Sequence, residues 1–359
     1  MSEFVRLSPL RDEVELEVAI NALRGGYPVV MPDSVGLILA LSAEVADSEA
    51  TLAQMSGGEV MLLLPGVERF DRVFRKVSDP LRDWFLEPAR VQGWALRAPH
   101  PNFPKGLVFR FAEGGTVSQR IIEAAKVPTY ATRIREVKGN AVSARTLMAR
   151  WGTEVACYLE DPFQKDTKAL RHAVLLPSGI AIDGERVPAL APMHVHFVCL
   201  GNLNRSAFAE AYLRERLRRD QARAEVAGLH FLPAYRVTSS GLIAREDTEA
   251  PDKMVAASRA FWAEEWMLAH RPQRFALELV TSADYIVPMA QDIRSQLEAY
   301  GLQGRMPSFG REGEIDDPMG KSLDDYVATA SAVEVMLKRH VLSRGCPLEG
   351  LDHENRHRL

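Results

Sequence analysis

Val195-His196-Phe197-Val198-Cys199-Leu200-Gly201-Asn202-Leu203-Asn204-Arg205-Ser206 is the stretch that decides how the second half of this 359-residue chain folds. An apolar, β-rich run ends in a cysteine, a glycine-containing loop follows, and an arginine stands six positions after the cysteine. From Ser206 onward the pattern predicts an amphipathic helix over about 206–219. A strand, a tight loop and a helix N-terminus in that order make a cup of backbone N–H groups suited to a tetrahedral oxyanion. The expected chemistry is attack by sulfur on phosphorus.

The residue types fit that chemistry one by one. Cys199 is the expected nucleophile, because a thiolate attacks well and loop amides with a guanidinium favour the anion. Arg205 can grip two phosphate oxygens through parallel hydrogen bonds, which a lysine cannot reproduce. Gly201 lets backbone approach the anion without an intervening Cβ. Asn202 tolerates left-handed dihedrals and can tie the loop with its side chain. The Ser206 hydroxyl can donate to the sulfur. Leu200, Leu203 and Asn204 complete the loop, so their amides count among the expected phosphate-binding groups.

Outward from this loop the second half reads as strand 195–198, helix 206–219, strand near 235–239, helix 252–266, strand 284–287, helix 291–300 and a final helix 322–341. Such alternation is that of a doubly wound parallel sheet, whose ligands bind at the carboxyl ends of the strands. Trp262 and Trp266, four apart, are expected to share the packing face of one helix, with a place on the rim of the site as the alternative. The basic run from Arg214 to Arg223 reads as a solvated helix face.

At this point residues 195–341 resemble the low-molecular-weight protein tyrosine phosphatases, whose signature is close to Cys-x-Gly-Asn-x-x-Arg-Ser. Val237-Thr238-Ser239-Ser240-Gly241 resembles the family strand and turn that support the phosphate loop, which places Ser239 in the site. Asp284-Tyr285-Ile286-Val287-Pro288-Met289 is similar to its later buried strand, and Ile315-Asp316-Asp317-Pro318-Met319-Gly320 to its Asp-Pro loop. The resemblance implies a four-stranded parallel sheet, a phospho-cysteine intermediate, and Asp317 as the acid that protonates the leaving oxygen and then deprotonates water. It implies hydrolysis of a phosphorylated protein or small aryl phosphate, without metal or cofactor. Three departures matter. Asn204 stands where most relatives carry a second cysteine, so no vicinal disulfide can form. Cys346 is the one later cysteine, which argues against arsenate reduction. Leu203 is aliphatic, as in tyrosine-directed members, where protein-arginine phosphatases resemble threonine.

The first half is another α/β unit. A helix over 13–24 closes at Gly25-Gly26, and strands are expected at Tyr27–Met31, Val60–Leu64, Gly93–Arg97, Leu107–Phe111, Val155–Leu159 and His172–Leu176, with helices near 117–126 and 141–150. Residues 8–190 resemble the YrdC-like threonylcarbamoyl-AMP synthases, which implies a twisted α/β sheet. Pro32-Asp33-Ser34-Val35-Gly36-Leu37 looks like a shortened Pro-Thr-Asp-Thr-Val-Tyr-Gly-Leu, and Gly93–His100, Val127–Thr132 and Ala173–Val187 are similar to later family segments. The family's cationic elements should fall near Gln54–Val60, where the chain reads Gln-Met-Ser-Gly-Gly-Glu-Val, and its Ser-Ala-Asn is replaced by Arg133-Ile134-Arg135. The expectation is a unit without synthase activity, with Arg133, Arg135 and Lys138 read first as solvated surface cations and otherwise as the place for a nucleotide or anion. An active synthase serving tRNA modification, and a phosphate loop that binds without turnover, are the alternatives.

Composition bounds the rest. The length calls for two domains, expected at 1–190 and 191–345 with a tail over 346–359 and a linker from Ile182 to His194. The net charge of -4 gives nucleic-acid binding no general support. Three cysteines are too few for a disulfide framework or structural zinc, and a reducing, cytoplasmic setting suits a thiolate. The N-terminus lacks an apolar signal core, and no run is long enough to span a bilayer.

Overall fold

The computed structural model describes residues 2–8, 13–66, 81, 93–100, 103–134, 142–163, 167–183, 190–306 and 314–342. These form two compact units that divide between Leu175 and Leu176. The division precedes the expected boundary between 190 and 191. Residues 184–189 of the expected linker, and 346–359 of the expected tail, lie outside the described residues.

The first unit contains β1 (Glu3–Arg6), α1 (Glu13–Arg24), β2 (Val29–Asp33), β3 (Gly36–Ser42), α2 (Ser48–Ser56), β4 (Val60–Leu64), β5 (Trp94–His100), β6 (Phe103–Phe111), α3 (Val117–Ala125), β7 (Thr129–Arg133), α4 (Ala144–Trp151), β8 (Cys157–Glu160) and β9 (Arg171–Leu176). Its strands follow the order β1-β8-β2-β3-β7-β4-β6-β5-β9. β1, β3 and β7 were not expected from the sequence. The β3 run Gly-Leu-Ile-Leu-Ala-Leu-Ser has no clean period, and antiparallel pairing with β2 and β7 makes it a strand. α1 buries Leu16, Ala19, Ala22 and Leu23, the spacing of one helical face, into a cluster with Ile121 and Ile122 of α3 and Val29, Met31 and Ile38 of the sheet. Each of the larger of these, the Leu, Ile, Val and Met side chains, contributes about 1.5–3 kcal/mol on burial.

One buried ion pair shapes the β2–β3 turn. Arg110 and Asp33 are 0% and 1% exposed. The Asp33 carboxylate accepts from Arg110 Nη1 at 2.5 Å, Ser118 Oγ at 2.5 Å and the Val35 amide at 3.1 Å, while Arg110 Nη2 donates to Ser34 Oγ at 2.6 Å. A carboxylate so partnered is tolerated in an apolar interior; stripping one partner would leave an uncompensated charge.

The second unit begins with β10 (Gly179–Ile182) and β11 (Met193–Cys199). It continues with α5 (Arg205–Val226), β12 (His230–Pro233), β13 (Tyr235–Gly241), α6 (Asp252–Ser258), α7 (Glu264–Ala269), α8 (Leu277–Val280), β14 (Tyr285–Pro288), α9 (Gln291–Ala299) and α10 (Leu323–His340). β11 runs between β13 and β14, parallel to both. The expected four-stranded sheet is corrected to three strands among the described residues, and residues 307–313 lie outside them. β10 falls within Ala173–Val187, the segment that resembles a closing pair of strands, and it pairs antiparallel with β12, which was not expected. α9 lays Ile293 and Leu297 against Val198 and Ile286. α10 opens with a reciprocal capping box between Ser322 and Asp325 and closes on Lys338, Arg339 and His340, which complement the helix dipole.

The single helix expected over 252–266 is two helices separated by a break. Trp262 sits at φ 59°, in the left-handed region, and its side chain is 64% exposed beneath the Arg219 guanidinium at 4.3 Å. A left-handed residue ends a helix, so Trp262 and Trp266 do not share a helical face. Instead Trp266 Nε1 donates to Glu215 on α5 at 3.2 Å. The basic run on α5 is partly exposed and ion-paired to buried acids: Arg216 and Arg223 meet Asp220, and Arg218 meets Glu215.

Candidate active site

β11 ends at Cys199 in the middle of the sheet, and α5 starts six residues later at Arg205. The loop between them sits where a 22-residue helix points its unpaired N-terminal amides. Cys199 is 2% exposed. Its sulfur accepts from the Asn202 amide at 3.2 Å and lies 2.9 Å from the Ser206 hydroxyl. Both contacts suit a sulfur that carries negative charge.

Asn202 is the pin of the loop. It is fully buried at φ 53°, a conformation asparagine adopts more readily than most residues. Its Nδ2 donates to Ser206 Oγ at 2.9 Å and to Ser239 Oγ at 2.8 Å, and its Oδ1 accepts the Gln273 amide at 2.8 Å. Ser239 in turn donates to Glu210 on α5 at 2.5 Å. Ser239, expected to support the loop, thus bonds Asn202 on one side and Glu210 on the other. His270, Glu210 and Gln273 were not anticipated, since nothing near them in the chain marks them. His270 Nε2 donates to the Asn202 carbonyl at 2.8 Å. Burial pulls the His270 imidazole below its ordinary pKa, against the Asn202 carbonyl and Glu210, which favour the charged form.

The glycine that packing demands is Gly241. A Cβ there would fall 2.6 Å from the Asn202 nitrogen, 2.7 Å from the Leu200 carbonyl oxygen and 2.8 Å from the Gly201 carbonyl carbon. A Cβ on Gly201 would meet only Leu203 Cδ1 at 3.8 Å. The loop's floor therefore requires β13 to pass without a side chain at its last residue.

Arg205, 5% exposed, is aimed across the loop. Its Nη2 donates to Asp317 Oδ2 at 2.9 Å and its Nη1 to the Ile315 carbonyl at 3.1 Å. Asn204 Nδ2 donates to the other Asp317 oxygen at 3.0 Å, and the Met319 amide donates to that same oxygen at 3.2 Å. Asp316, the neighbouring acid, instead places its backbone carbonyl on Thr329 Oγ1 at 3.3 Å. Two polar atoms in this group are buried without a hydrogen-bond partner: Arg205 Nε, a donor, and Asn204 Oδ1, an acceptor. Among the described residues no set of three His, Cys, Asp or Glu is placed to hold a metal ion, and no helix is long and apolar enough to cross a membrane.

Under the sheet floor runs a buried chain of imidazoles and hydroxyls. His194 Nδ1 meets the Ser282 carbonyl at 3.1 Å and its Nε2 meets Thr238 Oγ1 at 2.7 Å. His196 Nδ1 meets the same hydroxyl at 2.7 Å, and its Nε2 meets Ser240 Oγ at 2.8 Å. His194 Nδ1 also lies 3.2 Å from the Ser282 hydroxyl, which can donate where the carbonyl only accepts, so the chain of hydrogen bonds can run in either direction with one proton on each ring. Burial, with His194 as neighbour, pulls His196 down to about 4.

A thiol held by an amide and a hydroxyl, with a guanidinium and a carboxylate converging on the loop that carries it, defines the class of cysteine-dependent phosphatases. Residues 194–344 match the model of the low molecular weight phosphotyrosine protein phosphatase family. A protein-arginine-phosphatase of Bacillus subtilis (strain 168) is 30% identical over 154 residues, covering 41% of this chain and 93% of the relative. One of Geobacillus stearothermophilus is 26% identical over 157 residues, again 41% of this chain and 93% of the relative. The crystal structure of the low molecular weight protein tyrosine phosphatase from T. tengcongensis, 26% identical, aligns over 41% of this chain and 96% of its own with a TM-score of 0.33. The chain belongs, through its second unit, to the low molecular weight phosphotyrosine protein phosphatase family.

Proposed function

We propose that the second unit hydrolyses phosphotyrosine in a protein, or a comparable aryl phosphate, through a phospho-cysteine intermediate. Cys199 attacks phosphorus. Arg205 and the amides of Leu200 to Ser206 hold the oxygens, and Asp317 protonates the leaving phenolate, then takes a proton from water. Ser206 steadies the sulfur as the thiolate leaves. The observation that carries this reading is the Arg205–Asp317 contact, which brings the phosphate-gripping cation and the acid together across 112 residues of sequence. Leu203, partly exposed on the loop, favours an aromatic leaving group over a guanidinium. The names of the two curated relatives favour phosphoarginine as the second reading. Turnover of para-nitrophenyl phosphate, a phosphotyrosine peptide and a phosphoarginine peptide separates them. All activity should vanish in Cys199→Ser and be inhibited by vanadate; surviving turnover in Cys199→Ser would remove the mechanism.

For the first unit we propose a YrdC-like fold that has lost synthase activity. A cavity of about 460 Å³ is lined by Pro32, Val35, Leu37, Arg133 and Ser143 among others, joining segments that carry the resemblance. Near the segment where the family carries cations, Glu59 instead presents a carboxylate to Arg97. Arg135 and Lys138 lie outside the described residues. Pyrophosphate release from ATP with threonine and bicarbonate should be absent; its appearance would restore the synthase.

A further inference from the structure

Asn204 carries an unused acceptor inside the site. The residue is 3% exposed, its Nδ2 is spent on Asp317, and its Oδ1 has no partner. The amide cannot turn round while Asp317 is ionised, because a carbonyl facing a carboxylate would set two acceptors against each other. Oδ1 therefore needs a hydrogen-bond donor that comes and goes with the reaction. The phosphoryl dianion, the thiolate and the phenolate supply none, since all three only accept. The orphan Arg205 Nε is different: it is a donor, and phosphate oxygens satisfy it.

Resting on the proposed phospho-cysteine mechanism, we propose that Asn204 is a positioning residue for the hydrolytic water. In the second half-reaction water attacks phosphorus, the S–P bond breaks, and its electron pair returns to Cys199. One water proton passes to the ionised Asp317. The other stays on the oxygen that becomes part of the product phosphate, and it needs an acceptor while the attack proceeds. Asn204 holds Asp317 with one end of its amide and offers Oδ1 from the other, so a single side chain sets the base and the water in one geometry. An alcohol has only one such hydrogen, so it gains nothing from Oδ1 once that hydrogen goes to Asp317.

This predicts a discrimination that a merely structural loop residue would not create. With para-nitrophenyl phosphate as donor and methanol as competing acceptor, the wild type should favour inorganic phosphate over methyl phosphate. In Asn204→Leu, similar in size but unable to hydrogen-bond, the methyl phosphate share at fixed methanol should rise about fivefold, the effect of losing one hydrogen bond. Dephosphorylation should become the slow step, giving a burst of para-nitrophenol. Asn204→Cys, assayed under reductant so that the new thiol cannot pair with Cys199, should show the same shift and guards against misfolding of the leucine variant. Unchanged partitioning without a burst overturns the proposal, as does a fall in turnover matched by an equal fall in vanadate affinity, which would mark a collapsed loop. Turnover surviving in Cys199→Ser would instead defeat the phospho-cysteine reading beneath it.

Discussion

Replacing Asp317 with alanine should move binding and turnover in opposite directions. In the structure the Asp317 carboxylate takes a hydrogen bond from Arg205 and another from Asn204, so any phosphate reaching Arg205 must displace it. The side chains of that ion pair are 7% and 34% exposed. A hydrogen bond between charged groups is worth about 1.5–3 kcal/mol when shielded, and the solvent around Asp317 reduces this to about 1–2 kcal/mol. At about 1.4 kcal/mol per decade, Asp317→Ala should bind inorganic phosphate roughly 5- to 30-fold more tightly. Removing a negative charge beside a dianion acts in the same direction. The same variant loses the acid and the base, so kcat should fall by roughly 10²–10⁴-fold. Isothermal titration with phosphate gives the first quantity, and steady-state turnover of aryl phosphates the second. The loss of kcat should be smallest for the best leaving groups, which need least protonation. Phosphate affinity that is unchanged or weaker in Asp317→Ala would refute the idea that this carboxylate competes with substrate for the guanidinium.

Two further outcomes test the scaffold. Gly241→Ala pushes a methyl group into the backbone of Leu200, Gly201 and Asn202, so kcat should drop at least tenfold and the second unit should lose about 1–3 kcal/mol, read by denaturant unfolding; wild-type turnover would show that the loop floor yields. His196 should make the unit acid-sensitive. Its folded pKa, about 4, lies below the ordinary value of 6.5, so the unfolded state binds the extra proton between those values. The stability this contributes is full above pH 6.5 and is lost as pH falls towards 4, in total about 3 kcal/mol. Thermal unfolding from pH 7 to pH 4.5 should show the loss, and His196→Gln should flatten it; an equal slope in both proteins would rule the ring out.

The site was legible in the sequence to the extent that its parts lie close together in the chain. Cys199, Gly201, Asn202, Arg205 and Ser206 occupy one loop, and a strand before it and a helix after it leave few ways to arrange their backbone. Asp317 was reached through resemblance to an Asp-Pro loop, and the structure puts its carboxylate on Arg205. The buttress was not legible. Glu210, His270 and Gln273 bond the loop or its support from α5 and from the segment after α7, and no local pattern marks a histidine that will meet a carbonyl 68 residues away. The break at Trp262 was missed for a related reason. A tryptophan in left-handed backbone goes against local propensity, and its Arg219 contact comes from another helix.

Hydrophobic period and turn chemistry were enough to place most helices and the strand that ends in Cys199, because each depends on interactions within a few residues. Strands β1, β7 and β12 depended on partners distant in the chain, and four-residue or continuously apolar runs, β3 among them, have no period of their own. The same division runs through the site. Local sequence put a thiol at a helix N-terminus, whereas only tertiary packing could decide that Asn204 would face Asp317 with one end of its amide and leave the other end unbonded. Hydrogen bonds between distant residues depend on where the whole fold brings them, and short-range preferences do not encode that.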